Sequence, residues 1–348
     1  MDTLTHALSA ALLSRATAPA QPRPGAPSLR QRVAAGFIAG AFPDCDIALR
    51  AVDTLWYLGK AHQGITHSLL LAPMWALVLA FVLGRLCGKR WHAFYGPATL
   101  GIAMHIAGDV ITAYGTQLFA PLADWRAALS LAYVIDPYFT GIIAAGLVAA
   151  WLLPSRGRAA ALLGLFALAG YVALLVALHQ RAADIGARYA QTLGLVGATP
   201  HPLPQPFSPF HWKVIVSHGE TYHEALVDLL PGPSLVERMP GMGHFAFMSS
   251  AYSPAPRWRM HPRFGSDAQE KALAREAWGQ DAFRDFRAFA RFPVLYRIDG
   301  DGEARCVWFV DLRFTLPDRA PSFVFGQCRE RAGAPWRLAR QRGPLWID

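Results

Sequence analysis

The stretch Ala93–Tyr114 reads AFYGPATLGIAMHIAGDVITAY. It is long and apolar enough to cross a hydrocarbon core, which takes roughly 20 residues as helix. It nevertheless carries His105 and Asp109 in its second half. Ionisable groups at membrane depth cost about 2.5–3.5 kcal/mol each on insertion scales and mark functional sites by default. Four residues apart, the two side chains share one helix face and aim an imidazole nitrogen and a carboxylate at the same place. The reading of this segment therefore decides both the fold and the chemistry.

Its surroundings support a membrane environment. The 348-residue chain is 53% hydrophobic and only 16% charged, against about 25% charged for an ordinary soluble domain. That composition excludes intrinsic disorder and a nucleic-acid-binding tail, despite a formal net charge of +9. Four cysteines without a CxxC pair exclude zinc ribbons and disulfide-dense scaffolds. Residues 1–200 contain eight aspartates and no glutamate, and the other sixteen acidic residues follow position 200. Lipid for the first half and water for the second explains the split.

Four spans are expected, at Leu69–Leu86, Ala93–Tyr114, Leu131–Leu153 and Ala159–Leu178. Two shorter apolar pieces precede them, Leu4–Leu13 and Val33–Phe42, which suit half-helices, re-entrant pieces or tilted helices. A secretory signal peptide is a poor reading of the first: Asp2 precedes it without Lys or Arg, and His6 interrupts it. Arg85, Lys89 and Arg90, then Arg156 and Arg158, then Arg15, Arg23, Arg30 and Arg32 form three basic loops. The positive-inside rule places these in the cytoplasm. The segments around His62–His67 and Gly115–Ser130, and everything after the fourth span, then lie outside, though Arg126, Arg181 and Arg188 run against that assignment.

The expected architecture is thus an α-helical polytopic membrane domain, residues 1–180, with four clear spans plus two short N-terminal helices. An exit helix and Pro-rich linker follow over 181–210, then a smaller soluble β-rich α+β domain over 211–348. Strand-like runs at Trp212–Ser217, Tyr222–Leu229, Val294–Ile298, Arg305–Phe314 and Ser322–Cys328, with helical spacing over Asp267–Phe289, define that last domain. Cys306 and Cys328 are equidistant from Pro317, as cross-strand partners in a hairpin are. They form a disulfide if this domain faces an oxidising compartment. Two unpaired strand cysteines are the favoured alternative, because cross-strand geometry often misses the required spacing. His211, His218, His223 and His244 read as surface histidines rather than a second metal site.

The remaining polar groups of the first half fall at segment ends or within spans. Asp44 and Asp46 sit in Pro43-Asp44-Cys45-Asp46, which also suits a solvated turn or a helix N-cap. His62 and His67 flank Gly64, His6 lies in the first apolar piece, and Asp136 precedes Pro137. Imidazole and carboxylate together are the ligand set of zinc or manganese. A divalent cation also offsets the cost of burying several carboxylates. A proton or ion relay uses the same residue types.

In order along the chain, Met1-Asp2-Thr3-Leu4-Thr5-His6-Ala7, Pro43-Asp44-Cys45-Asp46, His62-Gln63-Gly64-Ile65-Thr66-His67-Ser68, and His105 with Asp109 resemble the bacterial inner-membrane metal-dependent hydrolases, the YdjM-like family. The resemblance covers residues 1 to about 140, with a further likeness at Asp311-Leu312-Arg313-Phe314. One departure is Gln63, where the family often has Arg; this removes a fixed positive charge beside the site. The resemblance implies hydrolysis at a metal centre, with a distant likeness to zinc-dependent phospholipases. Carried over by position, it makes His6, Asp44, His62, His67, His105 and Asp109 metal ligands, with Asp46 and Asp136 as supporting residues or the catalytic base. Six ligands exceed one tetrahedral zinc, so either two ions bind or two of the six orient the others. The implied cofactor is zinc, with manganese as the alternative. The implied substrate is a phosphoester or ester of an amphiphilic or lipid-linked molecule. The implied location is the inner membrane, multi-pass, with the C-terminal domain in the periplasm. A transporter or a non-catalytic membrane protein using the same cluster is the rival reading.

Overall fold

The computed structural model describes residues 1–21, 24–232, 249–300 and 303–340. Arg23 and His244 lie outside the described residues. The chain divides into two compact units, described in turn: Met1–Val52, Ala61–His179 and Pro204–Pro209 form the first, and Asp53–Lys60, Gln180–Leu203 and Phe210–Asp348 the second.

Helices build the first unit. Asp2 caps α1 (Thr3–Ala16) by accepting from the Thr5 amide at 3.0 Å. Ser28 and Gln31 form a reciprocal capping box on α2 (Leu29–Ala41), satisfying two of the amides a helix start leaves open. Pro43 then diverts the chain into a 3-10 helix, Phe42–Ala51, that carries Asp44 and Asp46. After His62–His67 come α3 (Ala72–Leu86), α4 (His92–Val110), α5 (Pro137–Leu152) and the 36-residue α6 (Gly157–Thr192). Leu12, Phe139, Ile143, Leu168 and Leu175 pack one core, and Leu79, Ala98, Ile102 and Ile106 another.

Four clear spans are not what forms. Among the described residues, one helix is long and apolar enough to cross a membrane, Pro154–Thr192. Ala72–Leu86 qualifies as a second only together with Thr54–His67, across a bend of 69°. The reason is length: α3 has 15 residues and α5 has 16, which at 1.5 Å rise reach about 22–24 Å against about 30 Å of hydrocarbon. α4 has 19 residues but breaks its apolar run with Gly96, Pro97, His105 and Asp109. The apolar runs were real; the turns that interrupt them cut the helices short. Side chains such as Phe81 and Val82 on α3, and Leu163 and Phe166 on α6, are about half or more exposed, an outer face suited to lipid rather than water.

Two four-stranded antiparallel meanders form the second unit, β1-β2-β3-β4 and β5-β6-β7-β8. The first contains β1 (Thr199–Pro204), β2 (His211–His218), β3 (Thr221–Asp228) and β4 (Arg259–Pro262). Part of the Pro-rich stretch thus runs as strand β1. The second contains β5 (Pro293–Asp299), β6 (Arg305–Asp311), β7 (Val324–Arg329) and β8 (Arg337–Arg340), with α7 (Ala268–Trp278) and α8 (Arg284–Phe289) before it. Trp212, Phe283, Phe286, Phe309 and Phe325 fill the interior. Asp311 and Arg313 form a buried ion pair at 2.8 Å, with the guanidinium over the Phe289 and Phe314 rings.

Three expectations for this unit change. Cys306 and Cys328 face each other in the β6–β7 register and are joined as a disulfide, not left unpaired. His211 is buried and stacked on Tyr252, and His223 is buried and hydrogen-bonded to the Tyr189 hydroxyl at 2.9 Å. Both are core residues rather than surface histidines; His218 is exposed.

Candidate metal centre

Small residues bring the site's helices together. A Cβ at Gly40 would fall 2.5 Å from Ala10 Cβ and 2.7 Å from the His6 carbonyl oxygen. One at Gly101 would fall 2.7 Å from Ala39 Cβ. α1, α2 and α4 therefore approach more closely than side chains normally allow. The result is that His6 and His105 stack at 3.7 Å between ring centroids.

On that scaffold four ligand atoms converge, from Asp44, His67, His105 and Asp109, all within 4.8 Å of one another. His67 Nε2 and His105 Nε2 lie 3.0 Å apart. His67 Nε2 is 3.2 Å from Asp109 Oδ2 and 3.6 Å from Asp44 Oδ1. His105 Nε2 is 3.4 Å and 3.6 Å from the same two oxygens. Ligands held 2.0–2.1 Å from a tetrahedral ion sit about 3.3 Å from each other, so this spacing fits one divalent cation. Asp109 is fully buried, yet its Oδ2 accepts no hydrogen bond. Such an orphaned carboxylate oxygen is costly, and a cation removes the cost.

A supporting bond fixes the His105 tautomer. His105 Nδ1 donates to the Gly40 carbonyl at 2.6 Å, which leaves Nε2 as the lone-pair nitrogen. His67 Nδ1 lies 2.9 Å from the Thr66 hydroxyl and 3.7 Å from Asp46 Oδ2. Thr3 donates to Asp44 Oδ2 at 2.6 Å.

The other expected ligands stand elsewhere. His6 touches the cluster from behind, with Nε2 2.9 Å from Asp109 Oδ1; the Met1 amino group meets the same oxygen. His62 is outside the group of four and bonds Asp46 through Nδ1 at 3.2 Å. Asp46 also accepts from the Gln63 amide at 3.1 Å, so it links the mouth of the site to His67. Gln63 is buried, and its side-chain oxygen accepts from Thr116 at 3.1 Å. Asp136 does not join the cluster. It caps α5, accepting from the Tyr138 and Phe139 amides at 2.9 and 3.0 Å and from the Tyr171 hydroxyl at 2.8 Å. Its position before Pro137 is the cap signature that explains this.

Sequence reasoning missed Gly40, Thr3, Thr66 and Gly108. A Cβ at Gly108 would lie 2.9 Å from His6 Cε1, so this glycine makes room for the His6 ring. Its adjacency to Asp109 was the available signal; the Gly40 carbonyl gave none, since any residue has one.

The chain is 28% identical over 149 residues to Uncharacterized protein YfhP of Bacillus subtilis (strain 168). That match covers 40% of this chain and 42% of the relative, so the chain spans less than half of the curated relative's length. No solved structure matches the chain. Residues 1–182, which contain all four converging ligands, match the family described as YdjM inner membrane protein, and the chain belongs to that family.

Proposed function

We propose that this protein is a membrane-bound hydrolase that holds one divalent cation, zinc or alternatively manganese, between Asp44, His67, His105 and Asp109. The observation that carries the reading is the pair of Nε2 atoms 3.0 Å apart facing two carboxylate oxygens, one of them buried without a hydrogen bond. When bound, such an ion polarises a phosphoryl or acyl oxygen and lowers the pKa of water.

The chain's own groups supply the rest. Gly40 and Thr66 hold His105 and His67 with Nε2 inward. Asp46 orients His62 through Nδ1, and His62 takes a proton at Nε2 as general base. This gives His62 the role of base and Asp46 that of its orienting partner. Asp44 and His62, the more exposed members, mark the side from which substrate enters. The apolar outer helix faces and the family's inner-membrane placement favour an amphiphilic phosphoester or ester. The Cys306–Cys328 disulfide favours an oxidising, extracytoplasmic location for the C-terminal unit.

Metal analysis of the full-length protein in lipid nanodiscs, followed by phosphodiesterase and esterase assays with and without chelator, tests the function. About one ion per chain and chelator-sensitive hydrolysis are expected. Metal-free protein from metal-replete buffer, or loaded protein inactive in every assay, overturns it. Alkylation in intact cells tests the topology: Cys306 and Cys328 should stay unlabelled until a reductant is added.

A further inference from the structure

The second unit contains a cavity of about 320 Å³ between its two sheets. This is at the small end of the range for specific small-molecule sites, about 300–1,000 Å³. Leu226 on one sheet, Val294 and Val310 on the other, and Leu312 and Leu316 beyond β6 give it apolar walls. Its floor is polar, with Lys213 largely satisfied by the chain itself and His261 Nε2 left without a hydrogen bond. Lys213 Nζ, on a fully buried side chain, donates to the Leu312 carbonyl at 2.8 Å and to the Thr315 carbonyl and hydroxyl at 2.6 and 2.7 Å. Glu224 lies 3.2 Å from Lys213 and 2.8 Å from His261. The floor therefore fixes the Leu312–Thr315 turn, and the charges of Lys213 and Glu224 cancel there.

The rim differs. Arg259 on β4 and Asp318 on the loop after β6 both line the cavity and are exposed. Among the described residues neither has an ion-pair partner. One cation and one anion without ion pairs thus stand on different elements lining the same chamber. Asp318 is held at φ 52°, a left-handed conformation that non-glycine residues adopt sparingly.

We infer that this cavity binds a small apolar zwitterion of the α-amino-acid type. Its carboxylate pairs with Arg259, its ammonium with Asp318, and its side chain enters between the sheets. A simple carboxylate leaves Asp318 unmatched and a simple amine leaves Arg259 unmatched; a zwitterion satisfies both. The site is independent of the metal centre, so either assignment can fail alone.

The test uses the full-length protein in nanodiscs, with fluorinated phenylalanine as the probe and fluorine NMR as the readout, against empty nanodiscs. Fluorinated phenylpropionate lacks the ammonium, and fluorinated phenethylamine lacks the carboxylate. Saturable binding is expected, with the zwitterion roughly tenfold tighter than either control, since charge-assisted bonds are the stronger class. Arg259→Ala should erase the preference over phenethylamine, and Asp318→Asn, which tolerates the same backbone, the preference over phenylpropionate. Tyr296→Ala, at a half-exposed wall position, should weaken all three. The absence of saturable binding, controls that bind as tightly as the zwitterion, or rim variants that leave both preferences intact overturn the assignment.

Discussion

Replacing His105 by Ala removes one of four converging ligand atoms and the Nδ1 bond to Gly40. Four-ligand zinc sites bind with about 10–16 kcal/mol, so an equal share is about 2.5–4 kcal/mol per ligand. At 1.4 kcal/mol per decade this is a loss of roughly 100- to 1,000-fold in affinity. His62→Ala is the matched comparison. His62 is bonded to Asp46 and meets the His67 ring edge-on without joining the four ligands, so its loss should cost no more than roughly tenfold, the low end for an outer supporting residue. Chelator competition with metal analysis measures both, and thermal unfolding checks that each variant folds. His105→Gln, closer in size, guards against the cavity that Ala leaves. The reasoning fails if His105→Ala and His105→Gln bind metal like the parent, or if His62→Ala loses as much as they do. The second outcome would restore a six-ligand site.

Three further outcomes follow from the geometry. Gly108→Ala gains about 1 kcal/mol of helix propensity, but its Cβ would meet His6 at 2.9 Å, and overpacking costs about 1–3 kcal/mol; a lower melting temperature and weaker metal retention are expected, and a raised melting temperature would refute the clash. Asp136→Ala should lose about 1 kcal/mol of stability with its cap while keeping full metal content; loss of metal would return Asp136 to the site. Glu224 is largely enclosed, which raises its pKa, but His261 and Lys213 outweigh this and bring it from 4.5 to about 2. Its contribution is therefore fully present above the unfolded-state value and is lost as pH falls from about 4.5 towards 2. Glu224→Gln should flatten that part of the acid-unfolding profile of the second unit, and an unchanged profile would count against the pairing.

Much of this molecule was legible in its sequence, and what was not has physical causes. The β2, β3, β5 and β7 strands are visible because alternation and β-branched residues act locally. His105 and Asp109 are visible because residues i and i+4 of an apolar helix lie on one face. The four spans were misjudged because apolar content does not report where a helix starts or stops: Pro137 begins α5 inside the expected Leu131–Leu153, and the turns around His67 and Gly115 bound α3 and α4. His62 is ambiguous in the sequence because residue type does not separate a ligand from a residue bonded to a nearby carboxylate. The Cys306–Cys328 pair is visible as a candidate but its bonding is not, because cross-strand register, which sets whether two sulfurs can meet, is a property of the sheet.

Asp46 sits at a junction. One short side chain faces the entrance residue His62, the backbone of the tight turn at Gln63 and the inward-looking His67. Whatever docks against His62 competes for the same acceptor that steadies an interior imidazole. Tuning for a new guest at the doorway therefore cannot leave the grip on the ion untouched, and sequence drift at positions 62 and 63 should be answered at position 46.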